Sequence, residues 1–293
     1  MGTTFSVVLY GSDPASMNRA IDAAFEEAHR LDALLSNYQT ESEWSRINRE
    51  AAAHPVVLSP ESFRLLADCI EYSRSSEGAF DITVGPLMRL WGFFGGERHV
   101  PSADQIRKAL ELVGYRHVRL NARKHSVRFD RRGVEIDSGG VGKGYAVDHM
   151  VEILRARGFR NALVAASGST IFGLGNPPEE SRGWPISIAD PWDHRKNAAQ
   201  LFLKDVSAST SGSYEKSFRV DGHRYSHIMV PGTGVPAESA VQVTVLAPRA
   251  IDSEVWAKPY FIQGRVWTAS HKPERWHVLY CENIPGTPCS WVE

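Results

Sequence analysis

Apolar positions early in the chain follow a helical period. In residues 14–35 they fall at Met17, Ile21, Ala24, Phe25, Ala28, Leu31 and Leu35, a spacing that lines one face of an amphipathic helix. Residues 2–10 precede it and predict a strand. A second helix opens at Ser59-Pro60-Glu61, with serine as N-cap and proline at the first helical position. Its apolar face is Phe63, Leu66, Cys69 and Ile70, and it ends before Gly78. Ser102 and Gln105 have the spacing of a capping box ahead of Ile106, Ala109, Leu110 and Val113, and Gly114 stops that helix.

The period then changes to two. HVRLN, SVRFD and GVEID, between residues 117 and 137, predict three short strands. The glycine-rich run Ser138–Gly144 leads into a helix with Val147, Met150, Val151 and Leu154 on one face, stopped by Gly158. Strand patterns dominate from there: NALVAA, TIFGL, PISIAD, AQLFL, SFRV, YSHIMV and AVQVTVL. The last clear helix covers about 251–258. No repeat, low-complexity tract or linker interrupts this order. The pattern predicts one α+β domain over residues 1–293, with helices packed on antiparallel sheet.

Composition narrows the function. Hydrophobic residues make up 42% of the chain and the formal net charge is −1, values of a folded protein rather than a disordered one. The large basic excess that marks a nucleic-acid partner is missing. No apolar run approaches the roughly 20 residues of a membrane span. The opening MGTTFSVVLYG has neither the basic nor the apolar region of a signal peptide. Three cysteines share no metal-ligand spacing. Cys69 lies on an apolar helix face, and Cys281 and Cys289 are candidates for a C-terminal staple.

Three segments carry candidate chemistry. In GVEIDSGGVGKGYAVD, residues 133–148, a glycine loop opens a helix. Free backbone N–H groups there suit an anion. Asp137 fits a ribose or base, and Lys143 fits a phosphate. The same loop also serves as a tight structural turn, and it matches neither the Walker nor the dinucleotide-binding pattern. In SASTSGSYEKSF and YSHIMVPGTGVP, hydroxyls and glycines cluster around His227, on a predicted strand that runs into a Pro-Gly-Thr-Gly turn. Histidine is the usual general base near neutral pH, although a strand histidine is also a common structural residue. In GAFDITVGPLMRLWGF, residues 78–93, an acid among aromatics suits a planar heterocycle and equally an ordinary packed loop.

Taken together, these blocks resemble the FAD:protein FMN transferases, the ApbE or flavin transferase family. The resemblance runs from Met1 to about Gly264. It includes Met-Gly-Thr at the start, LLSNYQTESEWSRIN (34–48), GAFDITVGPLMRLWGF, the IDSGGVGKGYAVD block, STSGSYE (209–215) and SHIMVPGTGVP (226–236). It implies an ApbE-like α+β fold. It also implies a reaction in which the FMN half of FAD passes to a Thr or Ser hydroxyl of a target flavoprotein, a subunit of a redox complex, with release of AMP. Magnesium is the family's usual cofactor. A FAD-binding protein and a FAD pyrophosphatase giving FMN and AMP are the alternatives. Family members are exported to the periplasm or cell envelope, and a cytoplasmic form is the alternative. Nothing in the sequence specifies an oligomeric state.

The resemblance also assigns residues. His227 matches the family's histidine before the Pro-x-Thr-Gly turn and is the candidate base. Asp137 and Lys143 fall in the block that holds FAD and its pyrophosphate. Met1, Tyr38, Ala79, Phe80 and Asp81 match positions lining the FAD site, with Tyr38 against a ring and Asp81 accepting from adenine or ribose. Thr210 and Ser211 match a hydroxyl loop near the phosphates, and Thr233 belongs to the turn.

The metal positions depart from the pattern. Counting back from Gly264, the family's acid falls on Glu254 and its threonine on Lys258. Gly142 keeps the backbone carbonyl expected at the metal, and Asp252 offers a displaced carboxylate. Ser169 stands where the family has another acid. Lysine is no ligand for magnesium, which takes oxygen donors. Three expectations follow. Lys258 replaces the metal's charge, or the site binds flavin without turning it over, or Lys258 faces solvent and Glu254, Asp252 and water hold the ion.

Overall fold

The structure is a computed structural model and describes residues 2–293. Met1, a candidate flavin contact, lies outside the described residues. In chain order the helices are α1 (Pro14–Leu35), α2 (Glu43–Glu50), α3 (Pro60–Ser75), α4 (Gly85–Leu90), α5 (Ala103–Leu110), α6 (Gly142–Ala156), α7 (Ala250–Gln263) and α8 (Arg265–His271). The strands are β1 (Phe5–Leu9), β2 (Val56–Val57), β3 (Val118–Asn121), β4 (Ser126–Phe129), β5 (Ala162–Ala166), β6 (Thr170–Leu174), β7 (Trp184–Ala189), β8 (Asn197–Leu203), β9 (Val206–Gly212), β10 (Ser217–Val220), β11 (His223–Ser226), β12 (Ala240–Ala247), β13 (His277–Glu282) and β14 (Ser290–Trp291). No helix among the described residues is long and apolar enough to cross a membrane.

Two compact units form from discontinuous segments. One takes the residues up to Asp32 with Val141–Gly212 and Ser239–Glu293; the other takes Ala33–Gly140 and Ser213–Glu238. Each crossing falls inside or beside regular structure, so no Gly/Pro/Ser-rich linker marks it in the sequence.

The first unit is built on a seven-stranded sheet ordered β1-β5-β6-β9-β12-β13-β14, with every pairing antiparallel. The predicted apolar face of α6 (Val147, Met150, Val151, Leu154) packs with Ala24 and Ala28 of α1 and with Val164 and Phe172 of the sheet. Full burial of each larger side chain contributes about 1.5–3 kcal/mol. Helix α7 starts at Ala250 and continues past its predicted end to Gln263, with Pro259 inside it. Proline removes one helical N–H, yet the helix persists because most of its residues are buried, among them Val255, Ala257, Tyr260 and Phe261. The expected staple is present as a Cys281–Cys289 disulfide.

The second unit holds the three-stranded sheet β2-β4-β3, the hairpin β10-β11 and helices α2 to α5. Both predicted caps form: Ser59 accepts from Ser62, and Ser102 and Gln105 close a full capping box. GVEID, expected as a strand, pairs with no strand. The Ile136 backbone groups pair with side chains instead, and the Asp137 N–H pairs with the Ile82 carbonyl. His227, expected on a strand, lies one residue beyond β11.

Candidate functional site

In the first unit the glycine-rich run enters α6 at Gly142, so Lys143 and Gly144 occupy the first helical turn. The Glu254 side chain of α7 meets that turn. Its Oε2 accepts the Gly144 N–H at 2.6 Å, and its Oε1 lies 2.5 Å from Lys143 Nζ. Lys258, one helical turn further along α7, donates from Nζ to the Glu254 backbone carbonyl at 2.7 Å and stands 3.9 Å from Glu254 Oε1. Lys258 therefore does not face solvent; it joins Lys143 around one carboxylate. Burial alone would raise the Glu254 pKa, but the charges of Lys143 and Lys258 and the hydrogen bonds hold it below the ordinary carboxylate value.

Close approach of the two helices requires glycine at 144. A Cβ there would lie 2.4 Å from the Ala250 carbonyl oxygen. Asp148, one turn along α6, accepts the N–H groups of Ala250 at 2.6 Å and Ile251 at 3.0 Å. A carboxylate is favoured at a helix N-terminus. Asp252, the displaced metal candidate, is held instead by Arg249, whose Nε and Nη2 donate at 2.8 and 2.7 Å. The structure thus brings Lys143 and Glu254 together and gives Asp252 a different partner. Gly142 is buried at the start of α6.

Thr210 and Ser211 lie on β9, a strand between β6 and β12, rather than on a loop. Alternation along a strand sends adjacent side chains to opposite faces. Ser207 and Ser209 meet Ser253 of α7 at 2.8 and 2.7 Å, which places Ser211 on the α7 side. Thr210 points the other way, to Thr244 on β12 at 2.8 Å, and its N–H donates to the Ser169 carbonyl at 2.8 Å. Only one of the two predicted hydroxyls shares a face with Glu254's helix.

In the second unit, two asparagines secure the segment before the glycine run. Ile136 N donates to Asn48 Oδ1, and the Ile136 carbonyl accepts from Asn37 and Asn48 Nδ2 at 2.7 and 2.9 Å. Asn37 Oδ1 also accepts from Ser138 N and Oγ. Asp137 N donates to the Ile82 carbonyl, and its Oδ1 accepts the Gly139 N–H at 2.8 Å. These bonds replace the strand ladder expected for GVEID. The exposed Tyr38 ring packs 4.7 Å from Phe94, centroid to centroid. Partial burial, then the Asp137 charge, raise its hydroxyl pKa.

Ala79, Phe80 and Asp81 are all buried. Asp81 accepts from Thr83 N, Thr83 Oγ1 and Tyr115 N at 2.8, 2.6 and 2.8 Å. Burial pushes its carboxyl pKa up, partly offset by those bonds. His227 places both its backbone N–H and its ring Nδ1 on the Lys216 carbonyl, at 3.0 and 3.2 Å. An Nδ1–H donating to a carbonyl leaves Nε2 as the basic nitrogen of the neutral ring. Thr233 is exposed at the tip of a turn that Trp91 pins, through Nε1 to the Gly234 carbonyl at 2.9 Å.

Asn37, Asn48 and Asp148 carry positioning roles that pattern reasoning on its own does not assign. All three stand inside the quoted blocks, and the signal was there: a polar side chain amid residues that the fold buries.

Comparison with known proteins covers nearly the whole chain. The model of the ApbE family matches residues 1–274. The FAD:protein FMN transferase of Treponema pallidum is 32% identical over 279 residues, spanning 90% of this chain and 77% of that protein. The FAD:protein FMN transferase of Salmonella typhimurium is 33% identical over 278 residues, with the same coverage. Among solved structures, the ApbE protein of Thermotoga maritima superposes with a TM-score of 0.87 at 30% identity, covering 95% of this chain and 91% of that one. The flavin transferase ApbE of Vibrio cholerae gives 0.84 at 27% identity, covering 99% and 93%.

Proposed function

The chain belongs to the ApbE family, and on that premise we infer that it is a FAD:protein FMN transferase. The observation that carries this reading is the similarity to FAD:protein FMN transferases over 90% of the chain. The acceptor is a Thr or Ser hydroxyl of a flavoprotein. Its oxygen forms a bond to the phosphorus of the FMN half, the pyrophosphate P–O bond breaks, and AMP leaves with the bridging oxygen. His227 Nε2 takes the hydroxyl proton; the carbonyl bond at Nδ1 supports that role by fixing the tautomer. Lys143 and the N–H groups of the glycine run hold the pyrophosphate, which suits the N-terminal end of a helix. Tyr38, Ala79 and Phe80 line the flavin-nucleotide site, with Asp137 accepting from it. Asp81, already engaged by three donors, shapes the turn that carries Ala79 and Phe80. Ser211 and Thr233 contribute hydroxyls, while Thr210, bonded to Thr244, holds the strand that carries Ser211.

Magnesium does not fit these residues. Both oxygens of Glu254 have protein donors, Lys143 Nζ and Gly144 N–H, and a second ammonium stands beside them. Asp252 is paired with Arg249.

An oxidising compartment, the periplasm or cell envelope, is the proposed location. The Cys281–Cys289 disulfide supports it, since such bonds persist where thiols are not kept reduced.

Incubation with FAD, with and without a Thr-bearing flavoprotein target, tests the reading by liquid chromatography of AMP. AMP that depends on the target is the expected result. AMP formed equally without target would identify a FAD pyrophosphatase, and tight FAD binding without AMP would identify a binding protein.

A further inference from the structure

Glu254 is 2% exposed, yet its carboxylate lies beside two ammonium groups. Lys143 reaches it from the first turn of α6, and Lys258 reaches it from the next turn of its own helix. The formal charge of the trio is +1. It adjoins a helix N-terminus, where the aligned peptide dipoles add a partial positive charge. Both lysine side chains are about a quarter exposed, at 23% and 22%, whereas the carboxylate between them is buried.

The chemistry of that cluster favours an anion and disfavours a cation. A divalent ion at Glu254 would have to share Oε1 with the Lys143 ammonium and Oε2 with the Gly144 N–H. It would then lie within a few ångströms of two ammonium groups. Neither Glu254 nor Asp252 belongs to a group of three or more converging His, Cys, Asp or Glu ligands among the described residues. A lysine ammonium has three N–H donors and no lone pair. Lys143 directs one of its donors to Glu254 Oε1 and Lys258 one to the Glu254 carbonyl. Glu254 thereby orients two cations without cancelling both.

We propose that Lys143 and Lys258, held by Glu254, supply the positive charge at the FAD pyrophosphate, so that FMN transfer by this chain requires no divalent metal. The inference rests on the transferase reading above. Phosphoryl transfer needs charge neutralisation at the non-bridging oxygens and in-line positioning of the acceptor, and paired ammonium groups provide the first. The balance of the step is unchanged: one P–O bond forms to the acceptor, one breaks to AMP, the acceptor proton goes to the base, and no electrons are transferred. Lys258 is then a residue of the reaction.

The test measures AMP release from FAD with a flavoprotein target, in EDTA and in millimolar magnesium, for the intact protein and for Lys258→Thr and Lys258→Arg. Binding of Mn2+ is followed in parallel by electron paramagnetic resonance, with and without FAD. The intact protein is expected to release AMP at the same rate in EDTA and in magnesium, and to bind no stoichiometric Mn2+. Lys258→Thr in EDTA is expected to fall roughly 100-fold, with part of the rate restored by magnesium and with one Mn2+ site gained. Lys258→Arg keeps the charge and stays independent of metal. Loss of the intact protein's activity in EDTA, restored by magnesium, would overturn the proposal, as would one tightly bound Mn2+ in the intact protein. No AMP under any condition sinks the transferase reading, and the Mn2+ titration then decides the metal question alone. Thermal unfolding of each variant separates a lost charge from a lost fold.

Discussion

The Asp148 carboxylate accepts the backbone N–H of Ala250 at 2.6 Å, so a side chain of α6 caps the first turn of α7. The converse contact is made by Glu254, which accepts the Gly144 N–H in the first turn of α6. Each helix therefore supplies the acid for the other's N-terminus. Four N–H groups at each helix start lack an intrahelical partner, and this exchange satisfies one in α6 and two in α7, with the buried Glu254 and the half-buried Asp148 carboxylates. The arrangement fixes where Lys143 and Lys258 stand.

Stability should carry the signature of Asp148. Burial, against the bonds from Ile251 and Ala250, raises its pKa from 3.8 to about 6. The folded state then keeps a proton that the unfolded chain has released between those values. Its contribution is therefore full below about pH 4 and is lost as pH rises through about 6. Asp148→Asn lacks this slope. Urea unfolding of both proteins should show the variant gaining about 2–3 kcal/mol on the wild type between about pH 4 and pH 7. Parallel pH profiles would show that Asp148 ionises without cost.

Gly144→Ala places a methyl 2.4 Å from the Ala250 carbonyl oxygen. Backbone on both sides leaves little room to yield, so a loss of about 3 kcal/mol is expected in denaturant unfolding. The helices should also separate enough to weaken the Lys143–Glu254 contact. A variant as stable as the parent would mean that α6 and α7 adjust freely at this crossing.

His227→Gln removes the proposed base. The transfer rate should drop by roughly 10²–10⁴-fold, while FAD affinity, read by flavin fluorescence, should stay within about twofold. An equal loss of both would assign His227 to binding.

Helix periodicity and caps made much of the fold legible. The α6 face, the Ser59 cap and the Ser102–Gln105 box are local features, decided by residues three or four apart, and all appear in the structure. Long-range satisfaction was not legible. GVEID has the alternation of a strand, but Asn37 and Asn48, 88 or more residues away in sequence, take its backbone bonds. SASTSG has the composition of a loop, yet β6 and β12 claim it as an interior strand. In the site, the pairing of Lys143 with Glu254 spans 111 residues. Counting from Gly264 located Lys258 beside the same carboxylate, but only the fold shows its ammonium turned inward.

Two units whose segments interleave along the chain explain why no boundary was visible. Val141 opens one segment directly after Gly140 closes another, within a single glycine-rich run. Composition marks linkers only where the chain is long and solvated between units.

The most direct test of the account is intact-mass spectrometry of a flavoprotein target after incubation with this protein and either FAD or FMN. FMN lacks the pyrophosphate that the reaction breaks. FAD is expected to add the mass of one FMN, less water, to a Thr or Ser of the target, with one AMP released per label, and FMN is expected to add nothing. An unmodified target after full conversion of FAD, or labelling by FMN alone, would contradict it.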